Sequence, residues 1–139
     1  MLLLDTHAWI WTVEGDERRI GRRSRRMIAR AAEQEAARVS AATVFEIVAL
    51  HTAGRLNLAQ PPEEWIDTLL ESSGVRLAEL TRGVAVDAGF IPRAALADPL
   101  DRLLVATARQ LDATFLTGDA RILAYAAKTG NVRAHDLAS

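Results

Sequence analysis

Leu2, Leu3 and Leu4 run without a polar interruption into Asp5, and no basic residue lies near enough in sequence to pair with that acid. A continuous apolar run this short suits a strand buried on both faces, the condition of a parallel sheet covered by helices. ATFLT at 113–117 is a second run of the same kind, while Arg38 to Ser40 and VRLAEL at 75–80 read as shorter strands and a last one falls near VRAHD.

Helical patterns fill the intervals. An arginine-rich helix is expected from about 21 to 37, and Ser40 can cap a helix through ATVFEIVALHTAG that stops near Gly54. Pro61 and Pro62 start PPEEWIDTLLESS, with acids in its first turn. Its apolar side (Trp65, Ile66, Leu69, Leu70) is available for packing, whether inside the chain or against a second subunit. Further helices are expected from Thr81 to about Gly89, from Asp98 to Leu111 and from Ala120 to Thr129. Strands separated by helices predict an α/β fold, a three-layer α/β/α sandwich around a central, mainly parallel sheet. At 139 residues, with half of them apolar and no internal repeat or linker, the chain reads as one domain spanning 1–139.

Composition removes several functions. The chain has no cysteine, which rules out disulfides, thiol catalysis and thiolate metal sites and fits a reducing cytoplasm. No apolar stretch approaches the roughly 18 residues of a membrane span, and no basic leader precedes the first leucines. The net charge of −1 conceals a cluster: Arg18, Arg19, Arg22, Arg23, Arg25, Arg26 and Arg30 fall in one segment, ERRIGRRSRRMIAR. Such a segment either grips phosphates or forms a solvated helix face. No aromatic interleaves with these arginines, so base stacking is not expected there.

Ligands of parallel α/β sheets collect beyond the carboxyl ends of the strands. Asp5 stands where the first strand should end, and ATFLTGD carries Thr117 and Asp119 off the end of a later one. Glu46 lies inside the apolar run VFEIVAL, with Ala42, Thr43, Ala49 and Leu50 as its helical neighbours and no local cation. In ADPLDRLLVATA, Asp98 can cap a helix with Pro99 at its first position, while Asp101 has only Ala97, Asp98, Leu104 and Val105 beside it. Taken singly, each acid has a structural explanation as a cap, a turn or half of an ion pair. Together they place four carboxylates at one end of one sheet, where they repel one another and hold protons unless a cation joins them. A hard divalent ion, Mg2+ or Mn2+, suits such oxygen donors. The lack of cysteine and a histidine set limited to His7, His51 and His135 disfavour zinc. His7, on a strand or turn, is expected to point away from the acids.

LLLDTHAWIW, VSAATVFEI, DPLDRLLVATA and FLTGDARI resemble, in order and over Leu2 to about Ile122, the four motif regions of PIN-domain nucleases of the VapC toxin type. The resemblance implies metal-dependent cleavage of RNA phosphodiester bonds by an acidic quartet at Asp5, Glu46, Asp101 and Asp119. It puts Asp5 and Asp101 on the main ion and matches Thr117 to a hydroxyl residue near the last acid. Thr6 and Thr117 are then expected to orient ligands or phosphate, Asp98 to act as an outer acid, and Arg102 with Arg22, Arg23, Arg25 and Arg26 to contact RNA. The resemblance also implies a homodimer and a cognate VapB-like antitoxin. Phe45 stands where the family often has tryptophan, and Ala95 to Ala97 replace a stretch that often carries histidine or arginine.

Two other functions compete. A phospho-accepting receiver domain also gathers acids at strand ends, but it needs a nearby lysine, and Lys128 in a late helix is the only one. A catalytically inactive RNA-binding relative would keep the fold and lose the quartet, which is intact here. A nucleotide-binding oxidoreductase is disfavoured because the first strand leads into DTHAWIW and not into a glycine-rich turn.

Overall fold

Five short strands and seven helices alternate along the chain, and the computed structural model describes all of residues 1–139. The strands are β1 (Leu2–Leu4), β2 (Ala37–Ser40), β3 (Val75–Ala78), β4 (Thr114–Thr117) and β5 (Ala134–Asp136). They pair in the order β3-β2-β1-β4-β5, and every pair is parallel, so the sheet is fully rather than mainly parallel. The helices are α1 (Thr6–Glu14), α2 (Arg22–Glu33), α3 (Ala41–Thr52), α4 (Pro62–Ser72), α5 (Arg82–Phe90), α6 (Pro99–Gln110) and α7 (Ala120–Thr129).

Alternation along the central strands creates two cores. Leu2 and Leu4 of β1 and Leu116 of β4 join Trp9 and Ile10 of α1, Ile28 of α2 and Trp65 and Ile66 of α4. Leu3 and Phe115 enter the opposite layer with Leu104 and Val105 of α6 and Ile122 and Tyr125 of α7. Burying one such side chain is worth about 1.5–3 kcal/mol, so an uninterrupted trio of leucines is stable only between two layers. The central place of β1 follows from its composition.

Strand order also fixes where a ligand can bind. The chain winds outward from β1 to β3, then returns to lay β4 on the other side of β1. Connections therefore leave β1 and β4 in opposite directions, which opens a crevice beyond their carboxyl ends.

Two departures from the sequence reading matter, and one alternative that it left open is decided. Residues Thr6–Glu14 form a helix where a strand or turn was expected, started by the Asp5 side chain and ended by Gly15 at φ 69°. Helix α2 stops at Glu33, short of 37, because Glu35 turns into the left-handed region at φ 54° and feeds β2. Trp65 and Ile66 of α4 are buried in the chain's own core; the exposed large apolar side chains include Phe45 and Val48 on α3 and Val86 and Phe90 on α5.

Candidate active site

Four helices begin beside the switch point, three of them capped by acids of interest. Asp5 accepts the Thr6 N–H at 2.8 Å to start α1, Asp98 accepts the Leu100 N–H at 2.9 Å to start α6, and Asp119 accepts the Arg121 N–H at 2.8 Å to start α7. Ser40 caps α3 through the Ala42 N–H at 3.0 Å, as its position suggested, and α3 carries Glu46. Asp101 lies in the first turn of α6. The positive ends of these helix dipoles partly offset the crowding of negative charge.

Asp5, Glu46, Asp98, Asp101 and Asp119 line one cavity of about 310 Å³. The structure thus brings together all four acids of the expected quartet and Asp98 with them. None of the five takes part in an ion pair; the salt bridges of this chain use Asp16, Glu17, Glu35, Asp87 and Asp112 instead. Burial, followed by the charges of Asp98, Asp119, Asp5 and Glu46, pushes the Asp101 carboxyl up from 3.8 to about 7. Burial is also the main cause that raises Asp5, to which Glu46 adds; the Thr117 hydroxyl, the Thr6 N–H and the nearby His7 pull the other way. A cavity that raises two of its own carboxyls is suited to receive positive charge.

The hydroxyl groups divide their roles. Thr117, fully buried, donates from Oγ1 to Asp5 Oδ2 at 2.5 Å and accepts the Asp119 N–H at 3.0 Å, tying the two strand-end acids together. Thr6 is buried, and its hydroxyl donates to Thr43 Oγ1 at 3.2 Å. It therefore orients Asp5 through its backbone N–H, while its hydroxyl is turned to Thr43 and away from the cavity. Arg102 follows Asp101 in sequence but does not line the cavity; its Nε is enclosed without a hydrogen-bond partner. Arg22, Arg23 and Arg26 are exposed on α2, whereas Arg25 borders a separate apolar cavity and pairs with Glu17 at 3.2 Å.

The expectation that His7 points away from the acids is overturned, because residue 7 lies on a helix and not on a strand or turn, and Trp11 escaped the sequence reading. His7 and Trp11 both line the cavity, four residues apart on α1, with ring centroids 5.4 Å apart and planes inclined at 49°. Asp5 as a cap and Gly15 as a helix stop are the signals that would have placed them there.

The donor set fits a hard divalent cation in kind: carboxylate oxygens, no thiol, and neither lysine nor arginine, with His7 the one basic side chain at the cavity. The fit does not extend to a preformed shell, since no three of the acids or histidines converge to metal-holding positions. Enclosing an ion requires side-chain rotation by Glu46 or Asp101, whereas two hydrogen bonds each fix Asp5 and Asp119.

Comparison with known proteins agrees with this geometry. Over 122 residues, 87% of this chain and 88% of the relative, the sequence is 34% identical to Ribonuclease VapC22 of Mycobacterium tuberculosis (strain ATCC 25618 / H37Rv). In fold it is similar to chains of DNA-bound VapBC from Salmonella typhimurium, with a TM-score of 0.67 at 20% identity over 98% of this chain and 97% of that one. VapBC2 from Rickettsia felis, bound to a DNA fragment from its promoter, gives 0.69 at 13% identity over 97% of both chains. Residues 2–128 match the PIN domain, a span that holds the whole acidic cavity, and the chain belongs to the PIN-domain family.

Proposed function

We propose that this protein is a metal-dependent endoribonuclease that hydrolyses RNA phosphodiester bonds, and that it serves as the toxin of a toxin–antitoxin pair. The observation that carries the reading is the cavity at the β1/β4 switch point, where five carboxylates meet without an ion pair and with no lysine or arginine in the lining. The relative named as a ribonuclease and the family membership support it.

Asp5 and Asp101 are the main ligands in this reading, with Glu46 and Asp119 completing the site directly or through water. Mg2+ or Mn2+ held there would lower the pKa of a bound water and neutralise charge on the phosphoryl oxygens. The chain's own part is placement. Thr117 holds Asp5 and the Asp119 backbone in register, so both strand-end acids keep their orientation when the substrate's charge arrives. Asp98 caps α6 and adds negative potential beside Asp101. No separate protein nucleophile is needed.

The receiver alternative requires a lysine at the acids. Lys128 is exposed in the last turn of α7 and does not line the cavity. An antitoxin partner follows from the same electrostatics: an arginine on a partner's tail would find unpaired carboxylates. The homodimer is supported by the exposed Phe45, Val48, Val86 and Phe90. No helix is long and apolar enough to cross a membrane. The cysteine-free composition fits a cytoplasmic setting.

The test is to incubate purified wild type and Asp5→Asn with total cellular RNA, with Mg2+ or with EDTA, and to map new ends. Discrete ends that appear only with wild type and Mg2+ are expected. Cleavage that persists in Asp5→Asn or in EDTA rejects the mechanism, and labelling by a small phosphodonor without RNA cleavage favours the receiver.

A further inference from the structure

The acidic cavity poses a problem for its own substrate. Without a metal ion the carboxylates of the cavity repel RNA phosphates, and no arginine lines the cavity to compensate. The exposed arginines of α2 can add attraction at a distance and a bound metal ion would hold the phosphate itself, which leaves the neighbouring nucleotide to uncharged contacts. A nucleobase offers such a contact through its π face, and stacking on aromatic rings tolerates any sequence.

His7 and Trp11 supply two aromatic faces inclined at 49° to each other, so a base can stack on one ring with the other against its edge. Spacing of four residues on α1 puts them on the same side of the helix, and both border the cavity that holds Asp5. Their exposure differs from that of the other tryptophans. Trp9 and Trp65 are buried at 0% and 7%, whereas Trp11 is half-buried and His7 exposed. The inner part of Trp11 packs against the core, and the Arg19 guanidinium lies 5.0 Å from its ring centroid, held by Asp16 at 3.1 Å. A ring fixed from behind loses little freedom when a base stacks on the pair. The arrangement also places an arginine of the basic segment, in the turn between α1 and α2, against an aromatic of α1.

We propose that His7 and Trp11 form an aromatic shelf that receives one unpaired base of the RNA substrate next to the acidic cavity. The inference rests on the ribonuclease reading and adds a substrate requirement to it: a nucleotide beside the cleaved bond must be free to leave its helical stack.

The probe is a short single-stranded RNA spanning a mapped cleavage site, together with a series in which each position in turn is abasic. Binding is measured by fluorescence anisotropy in EDTA, with the RNA checked to be intact, for wild type, His7→Ala, Trp11→Leu and Trp11→Phe. One abasic position adjoining the cut should weaken wild-type binding by roughly tenfold. His7→Ala and Trp11→Leu should bind that abasic RNA and the intact RNA equally, while Trp11→Phe keeps most of the preference. The ratio between the two RNAs is the readout, because a general loss of structure or charge lowers both alike. Indifference of wild type to every abasic position overturns the shelf. So does a preference that survives both His7→Ala and Trp11→Leu, even if overall affinity falls. Should Trp11→Leu fail to fold, His7→Ala decides, since His7 is exposed. Absence of any RNA cleavage by wild type rejects the ribonuclease reading itself, whereas cleavage without base preference rejects only the shelf.

Discussion

Replacing Asp101 by asparagine should make the metal-free protein more stable, and increasingly so as pH rises. Asp101 is raised from 3.8 to about 7 by burial and by four neighbouring acids. Below about pH 4 the carboxyl is protonated in both folded and unfolded chains and costs nothing. Between about 4 and 7 the unfolded chain releases the proton while the folded chain keeps it, so stability falls with rising pH; above about 7 the loss is complete. A displacement of this size corresponds to ~4 kcal/mol without screening. Solvent in the open cavity reduces it, and about 2 kcal/mol is a reasonable expectation at pH 8. An asparagine side chain cannot ionise, so the Asp101→Asn variant escapes the penalty. In EDTA, thermal melts at pH 8 should show the variant melting roughly 5–8 °C above wild type, with the gap much smaller at pH 4.5. Equal gaps at the two pH values, or a less stable variant at pH 8, would refute the claim that burial and the neighbouring acids raise Asp101.

Gly21→Ala tests how the C-terminal residues hold the start of α2. A Cβ at Gly21 would lie 1.9 Å from the Ser139 carbonyl carbon, so the tail must leave its bond from the Arg23 N–H to Ser139 O at 3.0 Å. A loss of about 1–3 kcal/mol in a denaturant melt is expected; an unchanged melt would mean that the tail does not stay there. Thr117→Val, nearly isosteric, removes the hydroxyl between Asp5 and the Asp119 N–H. It should cost ~1.5–3 kcal/mol of stability, raise Asp5 further and lower cleavage of RNA, all of which melts, titration and an end-mapping assay can follow. Neutralising Arg22, Arg23, Arg25 and Arg26 should reduce the salt dependence of RNA binding. Because Arg25 is paired with Glu17, the slope should fall by about three contacts rather than four, and an unchanged slope removes α2 from the phosphate contacts.

The layout of this fold was legible where burial is uniform. LLL and ATFLT are sealed on both faces, and such strands announce themselves by unbroken apolarity regardless of their partners. Asp5, Asp98 and Asp119 were legible for a related reason: the residue that ends a strand or caps a helix is set by local backbone chemistry, and the topology brings those ends together. Glu46 was found by the conflict between its charge and its apolar neighbours. Helix α1 was not legible, because THAWIWTVE buries Thr6, Ala8, Trp9 and Ile10 around several sides of the helix and lacks a clear polar stripe. Its aromatic and β-branched residues suit a strand equally well. With α1 went His7 and Trp11, whose meeting at the cavity depends on helical spacing. The direction of the Thr6 hydroxyl was not legible for a different reason: a hydroxyl beside an acid looks available until Thr43, 37 residues away, claims it.

The most direct measurement is a calorimetric titration of Mg2+ or Mn2+ into metal-stripped wild type, Asp5→Asn and Asp101→Asn near pH 7. One or more ions should bind wild type with release of the proton that Asp101 holds, and each variant should bind at least tenfold more weakly with that proton release absent from Asp101→Asn. Wild type that takes up no divalent ion at millimolar concentration while still cutting RNA, or variants that bind as tightly as wild type, would contradict the account.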